Sequence, residues 1–163
     1  MHVSNVWVYN IFQLAECFSI SLFFYHLYRQ YVNIRKWLIA WLVVFVVIYI
    51  TEATDNHFQR FNNATATIMA VAFVLASLYY FYLMLKDTRY QSLGFYAPFW
   101  WISGVLLFYF GGVIFNILFQ YIADTANFPF SMRYIIFNIL NIFLYTSWSY
   151  AFICRYRQRI LSS

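Results

Sequence analysis

Residues 6–28, VWVYNIFQLAECFSISLFFYHLY, form a long, predominantly apolar run, and the gap that follows carries Arg29, Arg35 and Lys36. Crossing a hydrocarbon core of ~30 Å takes ~20 residues at ~1.5 Å per residue. Further runs of this kind cover about residues 37–54, 64–85, 95–122 and 132–154. Lys86 and Arg89 follow the third run, and Arg155, Arg157 and Arg159 follow the fifth. The two remaining gaps hold only Arg60 and Arg133, with the acids Glu52, Asp55 and Asp124. Eight of the ten basic residues therefore fall on one side. Short loops rich in Lys and Arg stay cytoplasmic. The chain reads as an all-α polytopic membrane helical bundle of five transmembrane helices. Its N-terminus is expected outside and its C-terminus in the cytoplasm, with residues 1–163 a single transmembrane domain of the inner (plasma) membrane.

Composition agrees with the bilayer as the principal partner. Charged residues make up 9% of the chain, hydrophobic ones 64% and aromatic ones 26%. A soluble domain carries roughly a quarter charged residues, enough to cover a wet surface. The net charge of +5 is dispersed over span ends rather than gathered in a patch, so it does not point to nucleic acid. Cys17 and Cys154 are expected at different depths, too far apart to bridge, and neither belongs to a C-x-x-C pair. The first run lacks a preceding basic segment and is long, so it is expected to be a retained helix rather than a signal peptide.

The links between runs are short, and successive helices are expected to pack antiparallel. No separate soluble domain is expected, and no internal repeat is visible. The second run is short. The fourth, at roughly 28 residues, is long enough to tilt or bend, with Gly111-Gly112 as the bend point. Gly104, Gly111 and Gly112, with Ser103, offer small surfaces where another helix can come close. Trp and Tyr at span ends, such as Tyr28, Trp37 and Trp100, match the aromatic belts of membrane proteins generally.

Glu16 is the residue that most needs an explanation. It lies about 15 Å into the first span, and an acid there costs on the order of 2.5–3.5 kcal/mol unless protonated, paired or hydrated. Asn10, Gln13 and Cys17 share its side of the helix and give that span a polar stripe expected to face the bundle. Asn116 and Gln120 in the fourth span, and Asn138 and Asn141 in the fifth, map to the outer half or midplane. Glu52 and Arg133 map to the outer rim. The ligand-binding set expected from this asymmetry is Glu16, Gln13, Asn10, Asn116, Asn138, Asn141 and Glu52, lining a polar cavity open to the outside. The competing reading is that these groups bond neighbouring helices together, at about 0.6–2 kcal/mol each.

Other chemistry has less support. His2 and His57 map outside and His26 to the inner end of the first span, so no pair matches a bis-His haem. His57, Asp55, Glu52 and His2 are better read as ordinary loop residues than as a zinc site. There is no Gly-rich phosphate loop, H-E-x-x-H or G-x-S-x-G, so no catalytic residue, metal or cofactor is expected. Asn63-Ala64-Thr65 forms a glycosylation sequon, but it abuts the third span and reads as the cap of that helix, with Asn63 and Thr65 bonding its free N–H groups.

Ile50-Thr51-Glu52-Ala53 with Asn62-Asn63, and Pro98-Phe99-Trp100-Trp101-Ile102-Ser103-Gly104 leading to Phe108-Tyr109-Phe110-Gly111, resemble an uncharacterised group of aromatic-rich, multi-spanning membrane proteins of Bacteroidetes-type bacteria. Asn138 to Tyr145 and Ala151-Phe152-Ile153-Cys154-Arg155 belong to the same resemblance, which covers residues 45–157. Some members are similar to the membrane sensor halves of bacterial signalling proteins. The resemblance implies no established activity and transfers no site residue. Tryptophan-rich sensory proteins share five spans, but their Trp-Pro-Pro-type element after the first span is missing here. Pro98 and Pro129 are the only prolines.

The expected role is that of a sensor-like or accessory subunit, binding a small or lipophilic ligand, a partner membrane protein or a second copy of itself. A small transporter or channel component using Glu16 is the alternative, and a membrane enzyme the least supported reading. Cysteines introduced near Asp55 and Asp124 are expected to react with an impermeant maleimide from outside, and cysteines near Asp87 and Gln158 only from inside. Outside reactivity at Asp87 contradicts the five-span topology.

Overall fold

The computed structural model describes residues 6–55, 60–87, 93–123 and 130–161, with the side chains of residues 116–133 and 161 outside the description. The apolar runs form five α-helices: α1 Val6–Tyr28, α2 Arg35–Asp55, α3 Asn63–Lys86, α4 Ala97–Ala123 and α5 Phe130–Leu161. A 3₁₀ turn, Leu93–Phe95, leads into α4. All five helices carry a stretch long and apolar enough to cross a membrane. Lipid offers no hydrogen bonds, so a helix, which satisfies its backbone internally, is the conformation such runs must take. Apolar side chains are exposed on every helix, for example Phe12 on α1, Val43 on α2, Leu75 on α3, Leu107 on α4 and Ile142 on α5. That is the surface of a bundle solvated by acyl chains.

The chain divides into two compact units, residues 1–69 and 70–163. The first holds α1, α2 and the opening turns of α3. The buried residues of α1 are Asn10, Gln13, Cys17, Ile20, Ser21, Phe24, Leu27 and Tyr28, one helical face, and those of α2 are Phe45, Tyr49 and Ala53. The Trp41 indole N–H donates to Ser21 Oγ at 3.2 Å, joining α1 to α2 near their shared link. At the other end of α1, the Asn10 side chain bonds to the segment just before α3. The two helices therefore run antiparallel.

The second unit is built on α4 and α5. Gly104 faces Leu144, Ser147 and Trp148, Gly111 faces Leu140, and Gly112 faces Phe137. Numbers rise along α4 as they fall along α5, so this pair is also antiparallel. Trp101 stacks on Trp148 with ring centroids 5.5 Å apart, and Trp100 meets Tyr150 edge-on at 4.8 Å. The 3₁₀ turn is fixed to the end of α5. The Gly94 carbonyl accepts from the Trp100 indole at 3.0 Å and from the Cys154 thiol at 3.8 Å, while Gln158 Nε2 donates to the Phe95 carbonyl at 3.0 Å. The remainder of α3 joins this unit through Phe73 against Tyr109 and Phe81 against Phe99.

Two details of the helices bear on packing. α5 continues as helix beyond the expected span end near Cys154 to Leu161, where Gln158 and Arg157 still find partners in the 3₁₀ turn. α4 stays helical through Gly111 and Gly112. The glycines allow close approach: a Cβ on Gly104 would lie 3.0 Å from Ser147 Cβ and 3.4 Å from the Leu144 carbonyl oxygen. Gly104→Val is accordingly expected to destabilise the protein by about 1–3 kcal/mol through overpacking. At Gly112 a Cβ would sit 3.8 Å from Phe137, and Gly112→Ala is expected to stay within about 0.5 kcal/mol of wild type. Thermal unfolding of both variants in one detergent tests the contrast.

Candidate functional site

The polar residues of the first unit gather where α1 begins, α2 ends and α3 starts. A helix opens with backbone N–H groups that have no intrahelical acceptor. The Asn62 carbonyl accepts the first α3 bond, from the Ala66 N–H at 3.0 Å, which puts Asn62 in the N-cap position. Its own side chain does not cap. Glu52, from the last turn of α2, does so instead. Oε1 accepts the Ala64 N–H at 2.9 Å, and Oε2 accepts both the Thr65 N–H at 2.7 Å and the Thr65 hydroxyl at 2.6 Å. A carboxylate makes stronger, shorter bonds than a neutral amide oxygen, and its charge suits the positive end of the helix dipole. The expected cap from Asn63 and Thr65 is thereby corrected. Asn63 is exposed, and Thr65 supplies donors to Glu52.

Asn10 ties α1 to the same place. Its Nδ2 donates to the Arg60 carbonyl at 3.1 Å, and its Oδ1 accepts the Asn62 N–H at 3.3 Å. One carboxamide thus satisfies a donor and an acceptor of irregular backbone that the membrane would leave unpaired. Around it lie two further carboxamides. Asn62 is fully buried and Gln13, one turn below Asn10 on α1, is 2% exposed. All four of their side-chain polar atoms lack a hydrogen-bond partner among the described residues. Such groups cost about 1–3 kcal/mol each when buried unpaired. Glu16 is half-buried at the edge of this face and is not without a partner.

Of the seven residues expected to line a site, the fold brings Asn10 and Glu52 onto one short segment, residues 60–65, and sets Gln13 next to Asn10. Asn138 and Asn141 belong to α5 in the second unit. Asn138 is exposed, whereas Asn141 is half-buried and donates to the Phe137 carbonyl of its own helix at 2.8 Å. The side chains of Asn116, Gln120 and Arg133 lie outside the described residues. So do His2 and His57, and no group of three metal-ligating side chains occurs among the described residues. Asn62 and Thr65 were not in the expected set. An Asn before a helix reads as its cap, and only the competition from Glu52 frees the Asn62 side chain.

No known protein family, no curated protein and no solved structure matches this chain. What the chain can do therefore rests on its own geometry. Glu52→Ala is expected to lower stability by about 2 kcal/mol, since it strips three donors of their acceptor. Glu52→Gln should cost less, because one oxygen remains. Hydrogen exchange should accelerate at the amides of Ala64 and Thr65 in both variants and leave the α4 amides unchanged.

Proposed function

We propose that this chain is a sensor-like or accessory subunit of the inner membrane that receives a small lipophilic molecule in its first unit. The observation that supports this reading is the pair of buried carboxamides, Gln13 and Asn62, that lack hydrogen-bond partners among the described residues. Each offers one donor group and one acceptor, and neither carries charge. The complementary head is neutral and offers both a donor and an acceptor, as a protonated carboxyl or a primary amide does. An apolar tail would suit the exposed apolar flanks of α1, where Phe12 and Ile11 lie. The alternation of basic residues supports an N-terminus outside and a C-terminus in the cytoplasm, which places this end of the first unit in the outer leaflet. The resemblance to aromatic-rich membrane proteins with sensor-like relatives agrees with such a role. An output would come from another protein.

Glu16 supports a second reading, a proton-coupled transporter component, because it is an acid half-buried beside Gln13 at membrane depth. One variant series separates the readings. In wild type, decanamide and decanoic acid are expected to raise the unfolding temperature, and decane is not. Gln13→Leu should abolish that shift while leaving the unliganded protein as stable or up to about 1–2 kcal/mol more so, because an unpaired buried amide is removed. If Gln13 only binds helices together, Gln13→Leu will destabilise the protein and decanamide will have no effect on wild type. Glu16→Gln should keep the decanamide response under the sensor reading and lose proton uptake by proteoliposomes under the transporter reading.

A further inference from the structure

We propose that the face of α5 turned away from α4 is the seam on which a second copy of this chain docks. Along α5, the residues that meet α4 include Leu140, Leu144, Ser147 and Trp148. Opposite them run Asn138, Ile142, Tyr145, Ser149, Phe152 and Tyr156, at alternating steps of four and three, and every one is exposed. A repeat averaging ~3.5 residues keeps one line of side chains on a partner helix as the two wind together.

Lipid is the ordinary cover for such a face, and two observations argue against it here. Of the apolar stretch of α5 only 11% is buried, the least of the five spans, against 33% for α4. A helix left to lipid should be the more apolar for it. α2 and α3, buried by 17% and 22%, obey this and are the most hydrophobic spans. α5 breaks the relation: it is the most exposed and, with α1, the least hydrophobic. The second observation is Asn138. Its carboxamide is exposed and makes no hydrogen bond with the described residues, whereas Asn141 is satisfied on its own helix. Within lipid a carboxamide seeks a protein partner.

The occupant follows from topology. Copies of one chain insert with the same orientation, so in a twofold pair α5 meets α5 in parallel and each residue faces its own counterpart at the same depth. Only self-complementary groups are tolerated on such a line. Asn138 qualifies, because its N–H group donates to the carbonyl of its twin and accepts in return. Ser149 and the tyrosine hydroxyls qualify in the same way, and Ser149 is small enough to let the helices close up. No charged residue stands on the seam from Asn138 to Tyr156, so nothing like-charged is forced together. The proposal is independent of the ligand reading, since it concerns the other unit.

The test uses the full chain in bilayers at high lipid-to-protein ratio, with Cys17 and Cys154 replaced by Ala. Single cysteines at Ile142→Cys and Ser149→Cys are expected to cross-link at least ten times faster than Ile139→Cys and Phe143→Cys, which are exposed on α5 but off the seam. With fluorescently labelled chains, Asn138→Leu should weaken self-association by roughly three- to tenfold. Asn138→Gln should keep most of it, and unchanged thermal unfolding of both variants shows that the fold is intact. Equal cross-linking at all four positions, or a wild-type chain that stays monomeric, overturns the proposal.

Discussion

Every backbone N–H and C=O inside a bilayer must find its partner within the protein, and the places where helices stop are where that is hardest. This constraint accounts for the polar arrangement at the start of α3. At the start of α3 the free N–H groups turn to Glu52 of α2, while the preceding irregular backbone turns to Asn10 of α1. Three helices are thus bound to one another by the needs of a single helix end. The polarity gathered there is a requirement of the membrane before it is a feature of any site. What exceeds the requirement is the side chains of Gln13 and Asn62, which meet no backbone need among the described residues.

The second unit solves the opposite problem. Water cannot drive apolar surfaces together inside lipid. Close contact must come from shape. Gly104 and Gly111 remove side chains where Ser147 and Leu140 press in, and the stacked Trp101 and Trp148 rings add broad flat contact. Hydrogen bonds act in both units, at the start of α3 in one and around the 3₁₀ turn in the other, and the second unit adds steric fit between α4 and α5.

Much of this was legible in the sequence. The five spans follow from apolar runs and the charges that bound them, because nothing else buries so much apolar surface with so few charged groups. The helix-facing glycines were legible from their spacing, and the inward stripe Asn10, Gln13 and Cys17 from helical periodicity. The cap of α3 was not. Sequence proximity favours Asn63 and Thr65 as the capping groups, and a carboxylate in the preceding helix wins only once the turn between α2 and α3 brings it within 3 Å of the Ala64 and Thr65 N–H nitrogens. The length of α5 was equally hidden, because Arg155, Arg157 and Arg159 mark where a span leaves lipid but not where a helix ends.

The link between Glu52 and Thr65 spans 13 residues, whereas the bond from Cys154 to Gly94 spans 60. Closing a short loop costs little chain entropy, and closing a long one more. The contacts at the start of α3 join residues that all lie within the first 65 of the chain, so a chain grown that far already holds every partner they need. The contact that ties the turn before α4 to α5 needs the chain as far as Cys154.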